Sequence, residues 1–368
     1  MGNRKQGDIN WGIVGTGWVC REFVEGLKHV SGARLAGVCS RSFANAKAFA
    51  QQTGATNAYA DISQLVSDAG IDVVYIGTPN SLHAEQCCAA LDAGKAVLCE
   101  KPFTLDAAQA RHVIEIARSR NLFCMEAMRM RFMPAMDRAR AMVNEGAIGE
   151  LRMFSANFGI AAPYDLQNRF FNPSLGGGAF FDLGVYALSL AHQVFGPPQH
   201  IVAAAAVGPS GVDEQSAAIL SYTGGKLAIL SASLKQELPS DAVITGSTGE
   251  IRIEPLYRPE WVTLRKFGDS GVPKPSPASD AKERTKSIPG FRSAIAAGRK
   301  LMQPLRSADN ARERIAFESN GFNYEAQEVM RCLRAGEKES PIMPLAETLK
   351  IMESLDAIRG QWSATPKI

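Results

Sequence analysis

The stretch Ile9-Asn10-Trp11-Gly12-Ile13-Val14-Gly15-Thr16-Gly17-Trp18-Val19-Cys20 decides how this chain is read. Its apolar opening, residues 9–14, reads as a short strand, and residues 21–29 beyond it read as a helix. In a strand–turn–helix unit, glycines allow a tight turn and close backbone approach, while the helix N-terminus attracts a pyrophosphate. Gly15, Thr16, Gly17, Trp18 and Val19 are therefore candidate dinucleotide contacts. The third position of the fingerprint holds Cys20 instead of Gly or Ala, so a purely structural turn stands beside that reading.

Outward from this turn, strands and helices alternate. Residues 33–38, 71–76, 96–98 and 122–126 are apolar strands, and residues 43–52, 82–93 and 105–118 have helical periodicity. Such alternation predicts a parallel sheet covered on both faces. The pattern changes near Met128. A helix is expected over 132–144, then strands over 151–158, 201–206, 217–222, 226–233, 241–246 and 250–254, with a hairpin signal at Thr223–Gly225. One helix interrupts them at about 182–194. Residues 268–308 are polar and Pro-rich, with room for a short helix near 291–302. Residues 309–333 read as a helix broken at Gly321, and 345–359 as another.

The fold class expected is α/β. A doubly wound parallel sheet spans residues 1–128. Residues 129–368 are expected to form an α+β substrate-binding and oligomerisation unit with a mostly antiparallel sheet. Ala217, Ile219, Leu227 and Ile229 alternate on one face, and Ala218, Leu220, Ala228 and Leu230 on the other. Strands apolar on both faces predict burial of both, one by helices and one by a partner copy, hence a homodimer or dimer-based oligomer.

Composition narrows the function classes. Among 368 residues, 40 Lys+Arg against 37 Asp+Glu leave a formal charge of +3, too balanced to predict a nucleic-acid or anionic-membrane partner. No uninterrupted apolar run approaches the roughly 20 residues of a membrane helix, and the N-terminus lacks a signal-peptide core. Seven cysteines and five scattered histidines show neither a disulfide framework nor a metal-ligand spacing. A cytoplasmic protein without a bound metal is expected.

Several residues stand where a parallel sheet presents its ligands. After the second strand come Ser40 and Arg41 with no acid, which suits a ribose 2′-phosphate and predicts NADP, with NAD possible. The loop Thr78-Pro79-Asn80, followed by His83, leaves another carboxyl strand end, although His83 reads equally as a capping or surface residue. Glu100-Lys101 occupies a third such end, where an isolated Lys is usually solvated. Finally, Gly176-Gly177-Gly178 opens a helix on which Asp182 and Tyr186, four apart, share a face.

Together, WGIVGTG, GTPNSLH, AGKAVLCEKP, GGGAFFDLGVY and the late NYEAQEVMRCL…ESPIMPLAE resemble the Gfo/Idh/MocA oxidoreductase family over nearly the whole chain. Tyr186, AVLCEKP and LFCMEAMRMRFMPA are similar to its dimeric dihydrodiol dehydrogenase and NADP-dependent D-xylose dehydrogenase branch. The resemblance implies an N-terminal Rossmann domain, and a C-terminal domain whose sheet is large and open and whose last helix packs back on the first unit. It implies hydride transfer between a nicotinamide cofactor and a secondary alcohol or carbonyl of a sugar or cyclic diol. It also implies Lys101 and Tyr186 as the catalytic pair. Asp182 and Arg169 would orient substrate hydroxyls, and Phe158 would wall the pocket. Arg129 stands where that branch has an aromatic residue near the substrate. Asn45 replaces a second basic group for the 2′-phosphate, which softens NADP selectivity. The alternatives are a ketosugar (anhydrofructose-like) reductase, a glucose–fructose oxidoreductase-like enzyme, and a non-catalytic NADP-sensing regulator.

Overall fold

A computed structural model describes residues 7–268 and 310–362. Six parallel strands form the first sheet: β1 (Ile9–Val14), β2 (Ala33–Cys39), β3 (Asn57–Tyr59), β4 (Val73–Ile76), β5 (Ala96–Glu100) and β6 (Cys124–Ala127), in the order 3-2-1-4-5-6. Helices α1 (Trp18–Leu27), α2 (Phe43–Thr53), α3 (Ile62–Ser67), α4 (His83–Asp92) and α5 (Ala107–Ser119) connect them. Every residue of β4, β5 and β6 is buried, as expected of a sheet sandwiched between helices. The Asp61 and Asp106 carboxylates cap α3 and α5, accepting from Gln64 N at 2.9 Å and Gln109 N at 2.8 Å. Strand β3 and helix α3 carry no clear sequence periodicity. They are short, and β3 lies at the half-exposed sheet edge.

The strand order reverses between β1 and β4. The loops leaving those two strands therefore diverge and open a crevice at their carboxyl ends.

Eight strands form the second sheet: β7 (Leu151–Gly159), β8 (His200–Val207), β9 (Asp213–Ser221), β10 (Leu227–Ser233), β11 (Ala242–Gly246), β12 (Gly249–Glu254), β13 (Trp261–Lys266) and β14 (Asn310–Arg314). Their order is 14-13-12-11-7-10-9-8, and every neighbouring pair is antiparallel except β7–β10. The inner face, with Phe154, Leu220, Leu230, Ile244 and Ile251, is buried beneath α6 (Pro134–Asn144) and α7 (Val185–Phe195). On the outer face Val202, Ile219 and Ile229 are cross-strand partners exposed by 66%, 47% and 41%.

The helix expected over 309–333 is corrected. Its first part is strand β14, and only α8 (Phe322–Ala335) is helical, with Gly321 at its start. Asn310–Arg314 is rich in helix formers, but main-chain pairing with β13 overrides that preference. Arg312 and Arg314 pair across with Glu254 and Glu260, and Glu313 with Arg138. Residues 291–302 and most of the polar stretch around them lie outside the described residues.

Residues 173–195 form one largely helical stretch. By length and hydropathy this helical stretch resembles a membrane span, yet 78% of its apolar window is buried inside the protein, so packing accounts for it. All seven cysteines are free thiols.

Both C-terminal helices return to the first sheet. Helix α8 packs on α1, and α9 (Leu345–Trp362) packs on α5 and β8. Asp356 accepts from Ala107 N at 2.8 Å, Arg359 donates to Leu105 O at 2.8 Å, and Asn320 Nδ2 donates to Glu22 O at 2.8 Å.

Candidate active site

The crevice begins at Gly15, whose φ of +116° disfavours any side chain. A Cβ there would also lie 2.9 Å from Gly77 O. At Gly17 a Cβ would meet nothing within 4 Å, so the first turn of α1 is open to a ligand, and no side chain caps it. Cys20, the irregular third position, is fully buried and donates its Sγ–H to Gly77 O at 3.3 Å. The space a third glycine would leave is provided from the other side, because a Cβ on Gly77 would fall 2.5 Å from that sulfur. Backbone approach, open helix N–H groups and a positive dipole end fit a dinucleotide pyrophosphate. Arg41 is exposed and Ser40 half-buried where β2 ends beside this turn. Asn45 is exposed, and its N–H donates to the Ser42 cap of α2. Trp18 is 70% exposed at the start of α1 and Val19 is half-buried.

The 78–83 loop is tied down on both sides. Thr78 Oγ1 donates to Gln86 at 2.6 Å, and Asn80 Nδ2 donates to Gly176 O at 3.2 Å. Pro79 lies half-buried between them. His83 is fully buried, its two ring nitrogens 2.9 Å from Thr78 O and Pro102 O. It braces the loops after β4 and β5, and is not the surface residue that sequence also allowed. Burial pushes its pKa down, against the raising effect of the two carbonyls.

Strand β5 runs two residues further than expected, so that Glu100 ends it and Lys101 emerges at its carboxyl edge. Glu100 accepts from Tyr75 Oη at 2.6 Å and from Lys101 N at 3.3 Å. Burial raises its pKa despite those bonds and the Lys101 and Arg129 charges.

Lys101 Nζ donates to Asp182 O at 2.8 Å, lies 3.5 Å from Asp182 Oδ1 and sits 4.5 Å above the Tyr186 ring. Asp182, 2% exposed, also receives both Arg169 Nη groups. It lies in a π-helical turn, Phe180–Gly184, that leads into α7 and so to Tyr186. Turns of this kind recur at functional sites. Burial alone would raise the Asp182 carboxyl. The Lys101 ammonium and Arg169 guanidinium outweigh it and hold the group below the usual range. Burial alone would likewise depress Lys101, but Asp182 and Tyr186 reverse that and its ammonium is retained.

Phe158 packs edge-on against Tyr186, with centroids 5.7 Å apart, and stacks on Tyr257 at 5.2 Å. Arg129 is 9% exposed, lies over the Phe322 ring and donates to Tyr257 O at 3.3 Å. Lys101, Asp182, Tyr186, Arg169 and Phe158 are thus one cluster, with Arg129 joined to it through Tyr257. Sequence reasoning missed Tyr257 and Tyr75. Tyr257 lies in a turn without periodicity, whereas Tyr75, a lone polar ring in an otherwise aliphatic buried strand, was open to notice.

A reversing six-stranded sheet with an open glycine turn, and a Lys–Asp–Tyr cluster two strands away at the same edge, belong to a nicotinamide-dependent oxidoreductase. Sequence comparison agrees. Residues 9–128 match the oxidoreductase family with NAD-binding Rossmann fold, and residues 136–252 the GFO/IDH/MocA C-terminal domain. The chain belongs to the Gfo/Idh/MocA family. It is 31% identical over 360 residues to trans-1,2-dihydrobenzene-1,2-diol dehydrogenase of Xenopus tropicalis, covering 96% of this chain and 98% of the relative. The human enzyme of that name is 31% identical over 359 residues, covering 95% and 96%. Among solved structures, KijD10, a 3-ketoreductase from Actinomadura kijaniata in complex with NADP and TDP-benzene, superposes with TM-score 0.78 at 24% identity, covering 96% and 97%. An aldose–aldose oxidoreductase from Caulobacter crescentus gives 0.79 at 21% identity, covering 97% and 98%. These two likenesses establish the fold alone.

Proposed function

We propose that this protein is an NADP-dependent dehydrogenase or reductase acting on a secondary alcohol or carbonyl of a sugar or cyclic diol. The observation that carries the reading is the Lys101–Asp182–Tyr186 cluster, built from both halves of the chain beside the dinucleotide crevice. A nicotinamide cofactor held in the crevice would supply or accept the hydride. Tyr186 Oη gives a proton to the substrate oxygen or takes one from it. Lys101, kept charged by Asp182, stabilises negative charge gathering on the Tyr186 oxygen. Asp182 and Arg169 orient neighbouring hydroxyls, and Phe158 with Tyr257 walls off water. Ser40 and Arg41 hold the 2′-phosphate. The dihydrodiol relatives support the diol reading, and the ketoreductase and aldose oxidoreductase support the sugar reading.

A panel of aldoses, inositols and trans-dihydrodiols, assayed by NADPH absorbance in both directions, tests this. Turnover of at least one is expected. Tight NADP binding without turnover across the panel would favour a nucleotide-sensing regulator.

We also propose a homodimer formed through the outer face of the second sheet. The exposed row Val202, Ile219 and Ile229 is the apolar surface that supports it. Sedimentation velocity should find a dimer at micromolar concentration and a monomer for Ile219→Glu. A monomeric wild type refutes the dimer.

A further inference from the structure

Asp213, at the start of β9, is 3% exposed and belongs to neither the cofactor crevice nor the Lys101 cluster. Its Oδ2 accepts from Phe180 N at 2.8 Å and from Ser216 Oγ at 2.7 Å. Its Oδ1 presses on Gly178, which has φ +129° and where a Cβ would come within 2.3 Å of that oxygen. The last glycine of the run thus makes room for this carboxylate. Phe180 is the first residue of the π turn, Asp182 stands two residues on and Tyr186 six. A carboxylate here also complements the positive end of the helical segment running on to Phe195.

We infer that Asp213 is a positioning residue for the reaction: by holding the Phe180 N–H from the second sheet, its carboxylate sets the π turn that places Asp182 against Lys101 and Tyr186 beneath it. The inference rests on the catalytic reading above.

Burial pushes the Asp213 carboxyl up to about 6, against the lowering effect of the Phe180 and Ser216 donors. Arg359 of α9, over the Phe181 ring at 4.9 Å, is the cation that also favours its charge. Neighbouring Glu214 is taken up by Lys235 at 3.1 Å, and Asp182 by Lys101 and Arg169. Below about pH 6 a neutral Asp213 becomes a weaker acceptor, and the turn is held less firmly.

Turnover of D-xylose, D-glucose and trans-1,2-dihydrobenzene-1,2-diol with NADP is measured against pH for wild type, Asp213→Asn and Ser216→Ala. In parallel the Phe180 amide is followed by 1H–15N NMR. Wild type should show an acid limb in kcat centred at about pH 6, with the Phe180 amide shifting over the same range. Asp213→Asn should lose the limb and run roughly tenfold slower at alkaline pH, within the about 100-fold that a 1 Å misplacement costs. Its cofactor affinity should be unchanged. Ser216→Ala keeps the carboxylate but loses a donor to it. Its limb should move up by about 0.5–1 pH unit with the plateau intact, and this variant decides the matter where Asp213→Asn fails to fold.

A wild-type rate and limb in Asp213→Asn, or an unmoved limb in Ser216→Ala, overturns the proposal. So does a Phe180 amide that does not titrate, whatever the activity. A wild type that turns over none of the three compounds instead indicts the catalytic reading.

Discussion

Asp182→Asn isolates the charge at the centre of the cluster, because the amide keeps the side-chain shape and leaves in place the backbone bonds from Lys101 Nζ to Asp182 O and from Asp182 N to Gly178 O. Lys101 and Asp182 have side chains only 10% and 3% exposed, with Nζ 3.5 Å from Oδ1. At an effective dielectric constant of about 20, that separation is worth about 5 kcal/mol before desolvation. Arg169, whose side chain is 46% exposed, adds at most about 1 kcal/mol. Neutralising one partner leaves the ammonium buried beside neutral acceptors only, the backbone oxygen of residue 182 and the new amide, and losing half of a buried pair typically costs about 3–5 kcal/mol. The expected loss is about 3 kcal/mol at pH 7.5, measured by urea unfolding of wild type, Asp182→Asn, Lys101→Met and the double variant. The cycle should return a coupling of about 1–3 kcal/mol. Because the Asp182 carboxyl is held below its usual 3.8, its contribution is complete above that value and lost as pH falls through the still lower folded pKa. Wild type and variant should therefore converge only in strong acid. A loss below about 1 kcal/mol with no coupling would mean that the cluster is a solvated surface arrangement, and the catalytic reading would lose its electrostatic basis.

Three further outcomes are expected. Tyr186→Phe should retain fold and cofactor binding while kcat falls by about 10²–10⁴, Lys101→Met should lose a similar factor, and the double variant should be little worse than either; near-normal turnover in Tyr186→Phe would reduce the ring to packing. Arg41→Ala should weaken NADP binding measured by fluorescence titration and leave NAD nearly unchanged, and equal losses would remove the 2′-phosphate contact. Burial pushes the fully buried Glu126 carboxyl from 4.5 up to about 7, so its contribution is intact below 4.5 and lost as pH rises through about 7. Glu126→Gln should thus unfold at higher temperature than wild type at pH 8, by about 1–3 kcal/mol in stability, with the gap closing toward pH 4.5.

The first sheet was legible because its strands are buried on both faces and read as unbroken apolar runs between helices. The edge elements β3 and β14 were not, since β3 is three residues with Asn57 exposed and the other two half-buried, and β14 is four polar residues around one Ala, so neither carries a period. Strand β13 escaped for a related reason: its ends, Trp261 and Lys266, are partly exposed and its alternation is weak. In the site, Asp182 and Tyr186 were legible as sharing a helix face four residues apart, whereas Lys101 joined them only through the family resemblance. The pairing of Asp182 with Arg169 was not legible, since nothing in a 13-residue separation across a loop fixes it. Cys20 looked like a defect in the glycine fingerprint and became intelligible only with Gly77 opposite it, 57 residues away. Asp213 shows the same limit. Its partner is a backbone N–H, and backbone partners leave no trace in residue identity.

The return of the last two helices to the first sheet bears on how the chain is made. Ala107 waits for Asp356, 249 residues later, and Glu22 for Asn320, 298 residues later. As the polypeptide leaves the ribosome, β1 to β6 can pair early, yet the outward side of α1 stays bare until α8 is synthesised. Closing such distant contacts is slow, and exposed apolar surface invites misassembly in the interval. Synthesis of the C-terminal helices is therefore the step that completes the nucleotide-binding half, and a nascent chain stalled before them would be a natural client for chaperones.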